Sequence, residues 1–445
     1  MPGACAMTRI QPAAAPSAPF CAIDFGTSNS AIALCGPDGR MGLVEVEPDQ
    51  RTMPTAVFYQ TEDLAAHEEP QRIYGRPALA AYVQGHEGRL MRSMKSILGS
   101  TLADQSTDVG AGRSVRYLDV VSGYLLRLKQ LAERDAGAPL TRAVLGRPVY
   151  FVDDDPVRDA KAQQALENAA RAVGFRELSF QYEPIAAALD HEQTVAQEEL
   201  VLVADIGGGT SDFSLVRVGP ERRRRLDRKD DILANHGVHV AGTDFDRHVE
   251  LASILPLCGY RGKGPQRPGE APREVPSRVY FDLATWHLIN TVYSPPRMAE
   301  LRRMRDFYGD PRQYERLMRV LDERLGHALI GQAEAAKIAV AQGGSTRIAL
   351  DRLEDGLAVE LDEAQAVQAL GADLERVVNA AGEPLQAAGL RPQSVDVVYF
   401  TGGSTGFKPL TDRIAARLPA ARALRGDRFA SVAQGLGVHA QRLFG

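Results

Sequence analysis

Two stretches far apart in the chain repeat one unit: Asp24-Phe-Gly-Thr-Ser-Asn-Ser30 and Asp205-Ile-Gly-Gly-Gly-Thr-Ser-Asp212. Each follows an apolar run that reads as a buried strand, Phe20–Ile23 and Leu200–Ala204, and each leads into a second apolar-rich run, Ala31–Leu34 and Phe213–Val218. The unit is strand, carboxylate, glycine-hydroxyl turn, strand, occurring twice. A turn rich in Gly, Ser and Thr offers backbone N–H groups and hydroxyls to an anion. An Asp fixed at the mouth of the preceding strand suits a hydrated divalent cation. Two such hairpins facing each other predict a clamp for a metal-bound polyphosphate, a nucleoside triphosphate such as ATP with Mg2+.

The 445 residues suffice for two or three domain-sized units, and the shares of apolar (44%) and charged (24%) residues are ordinary for a globular protein. A net charge of −5 supplies no bulk attraction to nucleic acid or to an anionic membrane, so neither is expected as a partner. Arg222–Arg225 reads as a solvated loop between strands. Cys5, Cys21, Cys35 and Cys258 lack metal-ligand spacing and suit a reducing compartment. No apolar run approaches a membrane span, residues 1–19 lack the apolar core of a secretory signal and read as a disordered tail, and the expected location is cytoplasmic.

Along the chain, Phe20–Leu34, a turn at Gly36–Gly39, Met41–Val46 and Thr55–Tyr59 predict a hairpin meander. Helices are predicted at Arg89–Leu98, Val120–Arg134, Pro156–Val173 and from Glu183, with strands at Ala143–Phe151 and Asp396–Phe400. Met298–Gln342 reads as a helical subdomain, and 259–278, rich in Gly, Pro and Arg, as a surface insertion. The pattern predicts an α/β fold of duplicated lobes around a cleft. Lobe I spans 20–191 and 427–445; lobe II spans 192–426, with the helical subdomain at about 247–342.

With these motifs in order, the chain resembles the actin-like ATPase domain of DnaK-type heat-shock chaperones, and among them the short YegD-like members. Ala22–Ser30 and Ala204–Asp212 are similar to the family's two phosphate motifs, Tyr182–Leu189 to its first connecting helix, and Phe400–Thr405 to its adenosine motif. Gly242–Asp246 and Glu334–Lys337 resemble further landmarks. The resemblance implies the actin-like, ribonuclease H-like two-lobed fold, ATP/ADP and Mg2+ as cofactors, and a protein client or partner of unknown identity. It further implies that Asp24 and Asp205 hold the metal's water shell, that Glu183 orders those waters, and that Asp212 supports them. Gly26, Thr27, Ser28 and Asn29 would contact the β-phosphate side; Gly207, Gly208, Gly209 and Thr210 would wrap the γ-phosphate, with Thr210 near the attacking water. Gly242, Glu334 and Lys337 would reach the ribose and adenine, and Gly402, Gly403 and Ser404 would let the backbone lie along the adenosine. Asp24, Glu183, Asp205 and Thr210 are thus the expected catalytic set.

Three departures qualify that picture. The family's catalytic lysine follows a Gly-x-Pro-Ala segment, and here Gly75–Ala78 leads to Leu79. Losing such a charge slows a reaction by on the order of a hundredfold or more; Arg76 and Lys95 are the candidate substitutes. An arginine normally follows the adenosine motif, but Gly406 stands there, leaving Phe407 as an alternative stacking face. Neither the family's linker nor its peptide-binding domain is expected from the residues after the last predicted helix. The expected activity is therefore a slow ATPase with a chaperone-related role. The alternatives are a nucleotide-gated scaffold with little turnover, or a small-molecule kinase of the same superfamily. Gly402–Gly406 also matches the Gly-x-Ser-x-Gly elbow of serine hydrolases, with Asp427 and His439 in the matching order.

Overall fold

The apolar run before Asp24 becomes the central strand, Phe20–Phe25, of a six-stranded sheet. It pairs antiparallel with Asn29–Cys35 through the first glycine turn and parallel with Arg142–Arg147, which pairs parallel with Glu177–Tyr182. Met41–Leu43 and Met53–Pro54 complete the sheet on the far side of Asn29–Cys35. The run before Asp205 does the same in a five-stranded sheet. Glu199–Ile206 is antiparallel to Ser211–Val218 and parallel to Val397–Thr401, with Ile232–Val238 and Arg422–Arg425 at the edges. The structure, a computed structural model, describes residues 19–36, 40–62, 64, 68–100, 103, 105–152, 155–266, 269, 271–286, 288–426 and 430–445. The expected tail and the turn at Gly36–Gly39 lie wholly or mostly outside these.

Because side chains alternate across a strand, each sheet buries two faces. One face of the first sheet carries Ile23, Phe25, Ile32 and Leu145 into a core with the helix Tyr117–Ala136. The corresponding face of the second sheet carries Leu202, Ala204 and Phe213 into the core shared with the helices Gly242–Ser253 and Gly326–Ala339. The remaining faces meet a third cluster, in which Ala22 and Val144 of the first sheet and Val201, Val203 and Val397 of the second enclose two helices. These are Glu183–Glu192, through Ile185 and Leu189, and Ser431–Phe444, through Val432 and Leu436. Two like sheets are thus joined through a pair of packed helices, which is the actin-like ATPase fold.

Each sheet carries an outlying part. On the first, the strands Gln71–Tyr74, Ala56–Gln60 and Gly88–Arg92 form a small sheet under the helix Gly75–Val83. On the second, Pro295–Arg302, Pro311–Asp322 and Gly326–Ala339 supply the helical region. The two parts touch. Tyr82 stacks on Trp286 (centroids 5.2 Å, 23°), His327 sets its ring edge against both at 4.7 Å, and Arg92 lies 4.2 Å over the indole. His327 is buried, and that burial holds its imidazole down at about 4, so it is neutral in this contact.

One predicted helix is absent. Arg89–Leu98 begins as the strand Gly88–Arg92, paired antiparallel with Ala56–Gln60, and continues as a short 3-10 turn, Met94–Ile97. Ser93 between them has φ 53°, a left-handed conformation that a helix cannot pass through. The segment 259–278 is irregular as expected where described, yet Tyr260 and Val275 at its two ends are buried in the second core.

Candidate functional site

The two glycine turns converge. A Cβ built on Gly208 would lie 2.5 Å from the Ser28 hydroxyl, so only glycine lets the second turn come this close to the first. Each turn is braced from behind. Thr55 donates its hydroxyl to the Gly26 carbonyl (2.8 Å) and its backbone N–H to the Ser28 carbonyl (2.9 Å). In the second turn, Gly207 accepts from the Gly242 N–H (3.2 Å) and the Ser404 hydroxyl (2.7 Å), while Gly208 accepts from both the N–H and the hydroxyl of Thr243 (2.8 Å each). The carbonyls are thereby occupied. Among the described residues, the N–H groups of Thr27, Ser28, Gly208, Gly209 and Thr210 make no hydrogen bond within the protein. Unsatisfied donors gathered in two adjoining turns fit an anion such as a polyphosphate.

Behind the turns sits an acidic cluster. Asp24 ends the Phe20–Phe25 strand opposite Ala31, and Asp205 stands near the end of Glu199–Ile206 opposite Asp212. Burial, then the Glu183 carboxylate and Asp205, push Asp24 up to about 8, against the pull of Lys95. Burial, then Asp212 and Glu183, push Asp205 up to about 7, again opposed by Lys95. Glu183 reaches this cluster because it begins the helix that links the two sheets. Thr210 donates its hydroxyl to Asp212 (2.8 Å), which fixes that side chain beside the second turn. Three of these carboxylates, Glu183, Asp24 and Asp205, act on one ammonium group, that of Lys95, while Asp212 acts on Asp205, and the surplus negative charge suits a cation. Among the described residues no three acidic, His or Cys side chains stand close enough to ligate one metal directly. A magnesium ion held through its own water shell fits such a set, since that ion keeps several waters.

Lys95 is the residue that sequence reasoning left unplaced. Its ammonium group is buried, pairs with Glu183, and interacts electrostatically with Asp24 and Asp205. It comes from the 3-10 turn after the left-handed Ser93, within the segment misread as one helix. Arg76 does not compete, because its guanidinium is taken by Glu47 and by the Thr52 carbonyl. Leu79 packs on a small apolar cluster of Ala56, Phe58, Ala78 and Ala81. A buried lysine next to a strand break carries no motif; only the pairing of Gly88–Arg92 reveals where it points.

At the turn after the Val397–Thr401 strand, Gly402 takes φ +87°, and a Cβ there would meet the Ile206 carbonyl at 2.4 Å and Asp205 Oδ1 at 2.6 Å. This position demands glycine on both counts. Gly403 begins the short turn Gly403–Gly406, which brings Ser404 to the second glycine turn. Lys337 donates to the Gly242 carbonyl (3.4 Å) and pairs with Asp246 (2.6 Å), while Glu334, one turn earlier, is exposed and interacts electrostatically with Arg92. Asp244 accepts from the Ala241 N–H (3.0 Å), so it caps its helix. Phe407 corrects the expectation of a stacking face: it is 3% exposed, and its ring belongs to the second core. The arrangement also gives the hydrolase reading nothing to work with. Ser404 donates to a carbonyl, and His439 is buried against Gln181 (3.1 Å) in the helix between the sheets; Asp427 lies outside the described residues.

A duplicated sheet pair with two converging glycine turns and an acidic cluster between them defines the actin-like ATPase class. Within that class the chain belongs to the Hsp70 family, whose model matches residues 20–250. It is similar to the chaperone protein DnaK of Thermosipho melanesiensis, 30% identical over 229 residues, and to that of Thermotoga maritima, 29% identical over 229 residues. Each match covers 51% of this chain and 34% of the relative, so the similarity spans about a third of the relatives' length. Among the described residues no helix is long and apolar enough to cross a membrane.

Proposed function

We propose that this protein binds ATP and ADP with Mg2+ between its two glycine turns and hydrolyses ATP slowly, in a chaperone-related role toward a protein client. The supporting observation is the joining of Lys95, Glu183, Asp24 and Asp205 in one electrostatic cluster directly behind those turns. Asp24 and Asp205 would hold the metal's waters, with Glu183 and Asp212 completing the acidic wall. The metal, when bound, neutralises and orients the phosphate oxygens. The N–H groups of Thr27, Ser28, Gly208, Gly209 and Thr210 supply donors to those oxygens, and Asn29 and Gly26 shape the first turn. Positioning and charge neutralisation are most of what phosphoryl transfer to water requires. Lys95 brings the positive charge that Leu79 cannot. In this reading lobe I comprises 20–191 and 427–445, and lobe II comprises 192–426 with a helical subdomain at about 247–342. On the same motifs we place the chain with the short YegD-like members.

Calorimetric titration with ATP and ADP, with and without magnesium, tests binding, and single-turnover hydrolysis tests the chemistry. Magnesium-dependent binding at micromolar to millimolar ligand supports the reading; no binding of either nucleotide overturns it. A second reading is favoured by Leu79, which is packed in an apolar cluster where a lysine is expected. There the chain is a nucleotide-gated scaffold that opens and closes with little turnover. Single-turnover hydrolysis by the wild type and by Leu79→Lys separates the two: a jump in turnover with the lysine restored marks the wild type as a weakened enzyme, and little turnover in either form marks a scaffold.

A further inference from the structure

Away from the acidic cluster, the outer end of the Glu183–Glu192 helix lies beside a basic surface that the nucleotide site does not use. From Arg217 to Lys229 the chain carries seven basic residues and two acidic ones, in a protein whose net charge is −5. These arginines divide into two groups. Arg222 and Arg228 are internal braces: Arg228 is buried on Glu192 (2.7 Å) and Asp231, and Arg222 pairs with Glu198 (2.7 Å) and Asp231. The others face outward. Among the described residues, Arg223, Arg225 and Arg442 have no carboxylate at ion-pair distance, and Arg224 has only Glu221, at 3.9 Å.

The outward group is held in place. Arg223 donates to the Gln193 carbonyl (3.2 Å), and Arg442, from the last helix, donates to the Arg223 carbonyl (2.6 Å). Together with Val438 these residues line a depression of about 380 Å3, and Leu226, next to Arg225 in the sequence, is 49% exposed. Burial lowers the Arg442 guanidinium most; the Glu192 carboxylate opposes this, and the like charges of Arg228 and Arg223 add to it, so the group at the edge of the depression is a partly desolvated cation. Fixed guanidinium groups bind carboxylates through paired N–H donors. The aliphatic Val438 and Leu226 add a contact that a sugar-phosphate backbone does not use. We propose that this depression and its arginine rim form a docking surface for an acidic polypeptide segment with interspersed apolar side chains.

The test uses the full chain and a fluorescein-labelled sixteen-residue peptide of Glu with Leu at every fourth position, read by fluorescence polarisation. Saturable binding that weakens with added salt is expected, with a loss of about tenfold or more in the Arg223→Glu/Arg225→Glu variant. Arg225→Glu alone, at an exposed position, keeps the test sound if the double variant misfolds, and it should still weaken binding severalfold. Arg134→Glu, at an exposed position of the Tyr117–Ala136 helix, should leave binding unchanged. Absence of binding, or equal binding by the reversed-charge variants, overturns the proposal. So does a single-stranded oligonucleotide of equal charge that displaces the peptide at lower concentration, since the surface would then select phosphate rather than acidic peptide.

Discussion

Lys95 and Glu183, 88 residues apart, form a buried ion pair at the edge of the acidic cluster. The pair ties a short turn of the first sheet's outlying part to the first residue of the helix that runs between the two sheets. It therefore couples the one cation that the described residues bring to the cluster to the helix that runs between the two sheets.

Replacing Lys95 with Met should lower single-turnover hydrolysis on the order of a hundredfold, as expected for removing one preorganised charge. Nucleotide affinity should change much less, because the turns that donate to phosphate remain. Rapid-quench measurements at saturating ATP separate the two effects, and an unchanged rate removes Lys95 from the mechanism.

Metal binding should release protons. Asp24 stands near 8 and Asp205 near 7 without a metal, so each is partly protonated at neutral pH and must ionise to hold a cation. As pH rises through these values the ionised fraction grows. Apparent magnesium affinity of the nucleotide complex should thus increase from about pH 6 to about pH 9. Calorimetry in two buffers of different ionisation enthalpy reads the released protons directly; identical heats in both contradict the shifts.

The approach of Gly208 to Ser28 predicts a coupled pair of substitutions. Gly208→Ala places a methyl group 2.5 Å from the Ser28 hydroxyl and should weaken ATP binding by forcing the turns apart. Ser28→Ala removes the clashing oxygen and leaves the Ser28 Cβ at 3.3 Å, so the double variant should recover part of the loss. A double-mutant cycle on dissociation constants checks this, and strictly additive losses argue against the contact.

Glu250 lies fully buried in the Gly242–Ser253 helix, and neither carboxylate oxygen has a partner in the protein. Burial, then Asp246, raises it well above its ordinary 4.5. The folded state therefore keeps a proton that the unfolded chain releases, and stability drains away as pH climbs above that ordinary value. Glu250→Gln should stabilise the protein by about 1–3 kcal/mol near pH 8 and by little near pH 4. Urea unfolding at the two pH values measures the difference; equal effects at both contradict it.

The contact of Tyr82 with Trp286 and His327 spans from one outlying part to the other. Aromatic pairs of this kind contribute about 0.5–1.5 kcal/mol each. Tyr82→Ala should accordingly speed release of bound nucleotide roughly threefold to tenfold, with a smaller effect on the rate of binding. Stopped-flow displacement of a fluorescent ADP analogue provides the readout, and an unchanged release rate shows that the contact does not restrain opening.

The hairpins were legible in the sequence because their requirements are local: an apolar strand, a carboxylate, and a turn where only small residues let two backbones approach. The same holds for Gly402, whose φ and tight surroundings leave no room for a side chain. Lys95 was not legible, because its place depends on Gly88–Arg92 pairing with Ala56–Gln60 and on a left-handed Ser93, neither of which has a composition of its own. Phe407 misled for the opposite reason. Its position in the motif suggested a free ring, whereas long-range packing took that ring into the core. Tyr82, Trp286 and His327 come from three separate segments, and no spacing rule links them.

Trp286 is the sole tryptophan of the chain. Its indole rests between a phenol, an imidazole and a guanidinium drawn from opposite sides of the molecule. Emission excited at the red edge of the indole absorption, where tyrosine absorbs little, therefore originates at one seam, and a change in its colour or intensity reports how tightly that seam is shut.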